Sequence, residues 1–409
     1  MQEKKEDSRA EINWKLNLVV LWIGSFLACA SYTMCIPFLP VFLLQDLHVA
    51  QQDVNFWSGL TFSIAFLGAG IMAPYWGARG DKVGQRKMAI RAGFGLAVTY
   101  FMTGLCQNAW HLFFVRWFCG LISGFVPASM SLVSSTIPEN KLGWGMGLMQ
   151  TAIASGNIIG PLLGGYMSSW FGMRMSFFLG GGFLFISTIL VVFLVKDVPI
   201  CKAKRERKIT LFKDIGTALK NANLRYVMCM FFVIQGCIML IQPLITMYVG
   251  DLMGKMDDET IQMAGVIFSL GGVAGILAST FWGKQGQKRG YLLMFCFVTF
   301  SAGIVNLFQY LVQDVYQFAL VQFVYGLFLS GAVPNINARL VEATDQAMRG
   351  KAFGLLTSAQ QLGGVCGPLL GGVFGRVMST RYVLMLAGCT LLTVSLYTYF
   401  TKVKAAKNL

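Results

Sequence analysis

The chain has 409 residues, of which 56% are hydrophobic and only 12% are charged. Soluble domains carry about 25% charged residues, so a soluble protein of this composition would have too few polar groups to cover its surface. The net charge of +15 raises the question of nucleic acid, but no basic patch is interleaved with exposed aromatic residues, and we exclude that partner. The apolar residues fall in blocks of the ~20 residues that cross a bilayer, which indicates a polytopic membrane protein.

Cysteine and histidine show no metal-ligand or disulfide pattern. Nine of the ten cysteines lie in or at the ends of apolar blocks, and Cys201 lies in a basic loop, with no CxxC or Cys/His spacing. His48 and His111 both lie at block ends, where we expect interfacial positions. We therefore predict no metal site and no cofactor.

Apolar blocks bounded by charged or polar turns predict twelve membrane spans, numbered 1 to 12 in chain order. In lipid the backbone must satisfy its own hydrogen bonds, and blocks this long do so as helices. The first block is about twice the length of a signal-peptide core and has no small-residue cleavage site, so we expect it to stay as a helix. The spans cover residues 16–44, 56–78, 88–107, 111–136, 143–166, 175–195, 226–250, 260–282, 291–312, 316–340, 351–373 and 382–400.

The distribution of Lys and Arg predicts the orientation. With the N-terminus inside, the inside segments carry 28 of the 33 basic residues, and the outside loops carry four. Because Lys and Arg accumulate on the cytoplasmic side, we expect both termini to be cytoplasmic. Residues 196–225 form the longest loop and divide the chain into six-span halves, residues 1–195 and 226–409. Two interpretations of this basic linker are open. It is either a segment that contacts lipid headgroups or has a regulatory role, or a loop that is basic only because it lies on the cytoplasmic side. We favour the second.

The two halves repeat each other. Span 5 carries a pattern that recurs in span 11 with an offset of 207 at every position; in span 5 it consists of Gly147, Gly156, Gly160, Pro161, Gly164 and Gly165. The span 4 segment 114–121 matches 320–327 at an offset of 206. Parallel six-helix repeats with the substrate between them are a transporter architecture. A polytopic membrane enzyme would need polar or acidic clusters that are absent, and no filter-like loop supports a passive channel.

The glycines of span 5 have a physical interpretation. Gly156, Gly160 and Gly164 are four residues apart and so share one helix face. Small residues at this spacing let two helix backbones approach closely in lipid. Pro161 removes a backbone hydrogen bond and permits a bend. The alternative is an ordinary tight helix pair with no part in the mechanism.

These residues resemble the drug:proton antiporters of the major facilitator superfamily, specifically the twelve-helix group, over essentially the whole chain. The span 5 pattern matches that group's antiporter motif at every glycine and at the proline. The resemblance implies that spans 5 and 11 line the contact between the halves and help them rock. The end of span 1, Ile36-Pro37-Phe38-Leu39-Pro40, is similar to that of bacterial multidrug exporters.

A second motif follows span 2 and is similar to the superfamily's loop between helices 2 and 3. Its matching residues are Gly77, Asp81, Gly84, Arg86 and Lys87, with Gln85 standing where Arg is commoner. The resemblance implies that Asp81 contacts the N-terminus of span 11, near Gly350 and Lys351, and latches the outward-facing state; a helix N-terminus attracts an anion. The alternative is a surface charge that only sets topology.

Arg116 is the only charged residue that we place inside a span. A charge at the bilayer centre costs at least ~2.5–3.5 kcal/mol, so such a residue is a candidate for function. Arg116-x3-Gly120 resembles the family's helix-4 motif linked to proton transfer, whereas its equivalent in the second half is Gln322. No acid lies in the core of a span, so we expect any titrating acid to be Asp46 or Asp81. The alternative is that Arg116 only braces its helix.

In this fold the resemblance places the polar residues of spans 1, 4, 7 and 10 at the substrate cavity. Besides Arg116, these are Tyr32, Gln235, Gln242, Gln322, Asn335 and Asn337. The implied function is proton-coupled efflux of small hydrophobic substrates across the bacterial cytoplasmic membrane, by a protein that we expect to be a monomer in the lipid bilayer. The alternative is an exporter of one metabolite class, such as a sugar or amino-acid derivative.

Overall fold

The computed structural model describes residues 13–197, 222–342, 344 and 349–404. Every regular element in these ranges is a helix. Nine helical segments of the described chain are long and apolar enough to cross a membrane. Helices at the positions of spans 3, 5 and 11 are not among the nine, because glycine and basic residues lower their hydropathy. The predicted all-α membrane fold is confirmed for this part of the chain, whereas the count of twelve spans stays a prediction.

The helices follow the predicted order. In the first half they are Trp14–Cys35 and Leu39–Gln45 (span 1), Gln51–Val83 (span 2), Gln85–Gly104 (span 3), Ala109–Ile122 and Phe125–Thr136 (span 4), Leu142–Phe171 (span 5) and Met173–Leu194 (span 6). In the second half they are Ala222–Ile241 and Ile245–Met253 (span 7), Asp258–Arg289 (span 8), Tyr291–Phe308 (span 9), Val315–Leu329 and Ala332–Glu342 (span 10), Arg349–Val377 (span 11) and Thr380–Thr398 (span 12).

Spans 2 and 8 run further than the apolar pattern indicates. The helix of span 2 continues through the motif that follows its apolar block and ends at Val83. Gly84 then turns the chain with φ +104°, and Gly290 does the same after span 8 with φ +97°. A backbone in this region favours glycine, because other residues would bring Cβ against the neighbouring carbonyl. The motif is therefore a helix end followed by a one-residue turn.

The chain divides into two compact units. The first takes the described residues up to Phe38 and then those from Gly68 to the linker, and the second takes Leu39–Leu67 and the described residues from 222 onward. Two of the boundaries therefore fall inside spans 1 and 2. The assignment of residues 1–195 and 226–409 to two halves stays a prediction. Residues 198–221, including Cys201, lie outside the described part of the chain.

The packing inside each unit follows the repeat. In the first unit, span 1 packs against spans 5 and 6, and span 3 packs against span 6. In the second unit, span 7 packs against span 11, span 9 against span 12, and span 8 against span 10. The pairs 1–5 and 3–6 are thus repeated as 7–11 and 9–12. Apolar residues such as Leu184 and Val191 in the first unit, and Leu391 in the second, are fully buried at these contacts.

Candidate functional site

The four spans assigned to the substrate cavity are all discontinuous in the structure. Span 1 is interrupted by the 3-10 turn Ile36–Phe38, and span 7 by the 3-10 turn Gln242–Leu244, at an offset of 206. Span 4 is interrupted between Ile122 and Phe125, and span 10 between Leu329 and Ala332. Gly- or Pro-interrupted helices at corresponding positions of two repeats are a general indication of a transporter's binding site.

Each interruption has a local cause. Pro37 and Pro243 occupy equivalent positions in spans 1 and 7, and proline lacks the N–H that an α-helix needs. Gly124 breaks span 4 with φ +129°. In span 10 the N–H of Gly331 donates to the carbonyl of Phe328 at 3.1 Å, which tightens the turn. The helix before the break has 14 residues in span 4 and 15 in span 10. Because of this extra residue, equivalent positions of the two halves are 206 residues apart before the break and 207 residues apart after it.

A tryptophan from the neighbouring helix supports each of the breaks in spans 4 and 10. The indole Nε1 of Trp76 in span 2 donates to the carbonyl of Leu121 at 2.7 Å. The indole Nε1 of Trp282 in span 8 donates to the carbonyl of Leu327, also at 2.7 Å. These carbonyls lie just before the breaks, where the regular helical bond is interrupted. Each half therefore supplies a donor for its own broken helix.

Arg116 lies in the first helix of span 4 and is only 2% exposed. Its guanidinium is within electrostatic range of Tyr32 and Cys35 of span 1, Tyr100 of span 3 and Cys119 of its own helix. Among the described residues, no carboxylate contributes to these interactions, and the Nε atom has no hydrogen-bond partner. The surroundings are hydroxyl and thiol groups, so Arg116 is a buried cation without a described counter-ion.

The predicted cavity residues have different surroundings. In the first unit, Tyr32 lies beside Arg116 and is 39% exposed. In the second unit, Gln242 lies in the break of span 7, and Gln235 and Asn337 are partly buried. The side chain of Gln322 accepts a hydrogen bond from Gln309 Nε2 at 2.7 Å.

Asn335 is the cavity candidate that is most enclosed. It is fully buried, and its amide Nδ2 donates to the carbonyl of Gly331 at 2.7 Å and to that of Trp282 at 3.4 Å. These bonds join span 10 to span 8 next to the break. The contact of Asn335 with a substrate stays a prediction, and its observed role is to hold these helices together.

The glycines of span 5 pack against span 1 inside the first unit. A Cβ at Gly156 would lie 2.8 Å from the carbonyl oxygen of Phe26, and one at Gly160 would lie 2.7 Å from that of Ala30. A Cβ at Gly164 would lie 2.8 Å from the carbonyl carbon of Met34. The three glycines thus bring the two helix backbones into direct contact.

The remaining span 5 motif residues behave differently from one another. Gly147 is exposed, and a Cβ there would meet nothing within 4 Å. Pro161 and Gly165 are buried, and the helix runs unbroken through Pro161. In the second unit Gly363 and Gly367 repeat the close approach, with a built Cβ at 2.7 and 2.5 Å from the carbonyl oxygens of Phe232 and Gly236 in span 7. The part of either span in rocking motions stays a prediction.

The motif after span 2 is anchored through its arginine. The Arg86 N–H donates to Asp197 Oδ2 at 3.1 Å, and its guanidinium Nη2 donates to the Val192 carbonyl at 2.5 Å, so Arg86 caps the end of span 6. Asp81 is exposed and accepts a long bond of 3.4 Å from Gln85. The latch between Asp81 and span 11 stays a prediction.

The other motif residues and Asp46 have simpler positions. Gly77 and Lys87 are exposed, and Gly84 is buried at the turn. Asp46 lies in the turn that follows the outer part of span 1 and is partly buried. A role for Asp46 in proton coupling stays a prediction.

Arg91 is a second membrane-helix cation, which the sequence analysis does not single out although it falls near the start of span 3, because it closely follows the basic motif. It lies in the helix of span 3 and stacks on Trp76, with 3.5 Å between the guanidinium carbon and the ring centroid. Its Nη2 donates to the carbonyl of Ser123, in the break of span 4, at 3.3 Å. The sequence carries one signal for this contact between spans 2 and 4. Trp76 precedes Leu121 by 45 residues, and Trp282 precedes Leu327 by the same number in the second half.

A family model of the Major Facilitator Superfamily matches residues 21–284 and, in a second match, residues 227–409. The chain belongs to the Major Facilitator Superfamily. Among its curated relatives, the multidrug resistance protein MdtG of Salmonella schwarzengrund is 31% identical over 395 residues, which are 96% of each chain. MdtG of Salmonella arizonae is 31% identical over 397 residues, with the same coverage.

Solved transporters of low sequence identity share the superfamily fold. A mutant of the nucleoside transporter NupG is 14% identical with a TM-score of 0.79, covering 93% of this chain and 98% of that one. The human organic anion transporter TETRAN is 16% identical with a TM-score of 0.71, covering 94% and 99%. These likenesses concern the fold. Superfamily membership makes this chain a multi-pass membrane transporter and not an enzyme.

Proposed function

We propose that this transporter exports hydrophobic, drug-like compounds across the bacterial cytoplasmic membrane in exchange for protons, by alternating access and with both termini inside. The relatives named as multidrug resistance proteins, which match 96% of the chain, support the efflux of drugs. The paired interruptions of spans 1, 4, 7 and 10 support binding at the midplane between repeats.

The observation that carries the proposal is the buried Arg116 with no described carboxylate beside it. A cation in such a site is expensive to bury, and it persists where function requires it. In our proposal Arg116 takes part in proton coupling, with Asp46 or Asp81 as the titrating acid. Its neighbours Tyr32 and Tyr100 offer hydroxyl groups that can donate or accept hydrogen bonds near the charge.

The same charge defines the preferred substrates. A permanently cationic compound would be repelled by an uncompensated guanidinium in a medium of low dielectric constant. Neutral, zwitterionic or weakly acidic compounds avoid this repulsion. Tyr32 offers an exposed aromatic surface beside the charge, and amide groups such as Gln242 offer adaptable hydrogen bonds. We therefore propose a substrate range of this kind, centred on hydrophobic molecules.

The test is a drug-susceptibility and efflux panel on cells with and without the protein, repeated with the proton gradient collapsed. We expect gradient-dependent efflux of neutral or weakly acidic compounds, lost in Arg116→Ala and reduced in Asp46→Asn at equal expression. Arg116→Gln places at position 116 the residue type that the second half has at the equivalent position, Gln322. It removes the charge but keeps a polar side chain.

Three results would count against parts of this proposal. Full activity of Arg116→Ala ends the coupling role. Strong export of quaternary ammonium dyes by the native chain contradicts the substrate class. The third result is that the protein protects against none of the drugs but transports a single sugar or amino-acid derivative. The function would then be export of one metabolite class and not multidrug export.

A further inference from the structure

Arg91 is a partly buried cation whose hydrogen bonds are incomplete. Its guanidinium stacks on Trp76 and donates from Nη2 to the carbonyl of Ser123 at 3.3 Å. A guanidinium carries five N–H donors, but the Nε and Nη1 atoms of Arg91 are buried and have no hydrogen-bond partner. Among the described residues, no carboxylate acts on this charge. Because a buried donor without a partner is costly, these nitrogens indicate an acceptor that the described chain does not supply.

The second half supports its broken helix at the same place without a cation. The position equivalent to Arg91, at the offset of 206, is Phe297. The ring of Phe297 lies 5.7 Å from that of Trp282, and the ring of Phe328 lies 6.4 and 5.8 Å from these two. Trp282 still donates to the carbonyl of Leu327 in this arrangement. A break that is supported by a tryptophan therefore does not need a charge beside it.

The two breaks also differ in the space beside them. A Cβ at Gly331, in the break of span 10, would lie 2.7 Å from the Cβ and Cγ of Trp282, so this break is filled. Apart from its chain neighbours, a Cβ at Gly124, in the break of span 4, would meet only Nη2 of Arg91, at 3.7 Å. The first half thus leaves open space beside its cation, at the position where the second half packs an aromatic side chain.

The helix that follows the break adds to the preference for an anion. Helix Phe125–Thr136 begins after Gly124, and no side chain caps its first N–H groups. The free N–H groups and the positive end of the helix dipole both attract negative charge. Together with the Arg91 guanidinium, they favour an anionic group at the break of span 4.

The depth of Arg91 indicates what kind of anion this is. Arg91 is the seventh residue of its helix, which begins at Gln85, so it lies about 10 Å along the helix from the turn at Gly84. The predicted orientation places this turn on the cytoplasmic side. A small hydrated anion would lose its water at this depth, whereas an acid with an apolar body gains from the surrounding apolar helices.

We propose that Arg91, Trp76 and the break of span 4 form a binding site for the acidic group of an amphipathic organic anion, with a carboxylate or phosphate that accepts hydrogen bonds from the guanidinium. A soluble acid from the cytoplasm and an anionic lipid of the inner leaflet both present this chemistry, and the experiment separates them. If the ligand is a transported acid, the proposal rests on the export function proposed above.

Ligand binding to the purified protein is the direct test. In nanodiscs of phosphatidylcholine, the rise of the unfolding temperature with ligand concentration gives the dissociation constant. We expect octanoate to bind at least about tenfold more tightly than octanamide, which has a similar shape but no charge, because a hydrogen bond to a charged group is the stronger one. Nanodiscs that also contain phosphatidylglycerol supply the lipid form of the same chemistry.

Arg91→Phe is the decisive variant, because it places at position 91 the residue type that packs on the equivalent tryptophan in the second half. We expect it to unfold near the native temperature without ligand, to bind octanoate at least about tenfold more weakly, and to bind octanamide as before. Arg91→Gln covers the case in which phenylalanine does not fit. Lys288→Gln is the matched control, since it removes one exposed charge at the end of span 8, and its affinity for octanoate should not change.

Weaker octanoate binding in the Arg91 variants, with Lys288→Gln unchanged, supports the site and identifies a soluble acid as a ligand. If only the stabilisation by phosphatidylglycerol depends on Arg91, the site is also supported and its ligand is a lipid. Equal effects of both anions on the native chain and on the Arg91 variants would overturn the proposal, and so would the absence of any effect on the native chain. None of these measurements involves transport, so a protein that binds octanoate but exports no drug contradicts the proposed function and leaves the site in place.

Discussion

Gly164 is where we expect the smallest possible side chain to have a large effect. A methyl group there would lie 2.8 Å from the Met34 carbonyl carbon, whereas ordinary contacts begin at 3.4 Å. The obstacle is backbone, which cannot rotate away, and the Met34 carbonyl oxygen lies closer still, so spans 1 and 5 would have to separate by more than about 0.6 Å at this point. Overpacking of this kind costs about 1–3 kcal/mol. Gly164→Ala should therefore be destabilised by about this amount, and Gly164→Leu should insert but not transport.

Gly147 provides the matched control in the same helix and the same motif. A methyl group there meets nothing within 4 Å, and alanine favours an exposed helix by about 1 kcal/mol over glycine. The two alanine variants should then differ by about 2–4 kcal/mol. The assay is thermal unfolding of the purified proteins in detergent, together with efflux at matched amounts in the membrane. Equal stability and equal efflux of the two variants would refute the packing argument.

Three further predictions follow from the loop motif and from the orientation. Gly84→Ala should lower stability by about 1–2 kcal/mol because of its φ of +104°, whereas Gly77→Ala, with open space around it, should unfold at the native temperature. Asp81→Asn should bias the protein away from the outward-facing state, measured by thiol accessibility from outside; unchanged accessibility and efflux would leave Asp81 as a surface charge. Cys201 should resist an impermeant maleimide in intact cells, and efficient labelling would reverse the predicted orientation.

The sequence predicts the helices and the repeat well because both rest on local composition. A bilayer demands long apolar helices, and a repeat preserves glycines at fixed offsets. The break of span 7 was also visible in principle, since Pro243 lies 206 residues after Pro37. Proline alone does not decide whether a helix is interrupted, however. Pro161 stays inside an unbroken helix, because the effect of a proline depends on what the neighbouring helices supply to the freed backbone groups.

The ion pair between Asp53 and Arg376, 2.8 Å apart, could not be predicted in the same way. Asp53 and Arg376 are far apart in the chain, and the local sequence indicates only that each is a charged residue at the end of a span. The partner of the glycines was similarly hidden. The four-residue spacing of Gly156, Gly160 and Gly164 indicates a close approach but not which helix approaches, and only the tertiary packing identifies span 1. Contacts between distant segments leave no periodic signal in a single sequence.

The tryptophan bonds at Leu121 and Leu327 make the two breaks independent of each other. Each half stabilises its own broken helix with a donor from inside that half, so neither break depends on the other copy. The side chains near one break can therefore differ from those near the other without loss of the scaffold. Arg116 and Gln322 differ in this way, with a cation in one half and a neutral amide in the other. Two halves with equivalent helix breaks can therefore differ in charge, with a cation at position 116 and an uncharged side chain at the equivalent position 322.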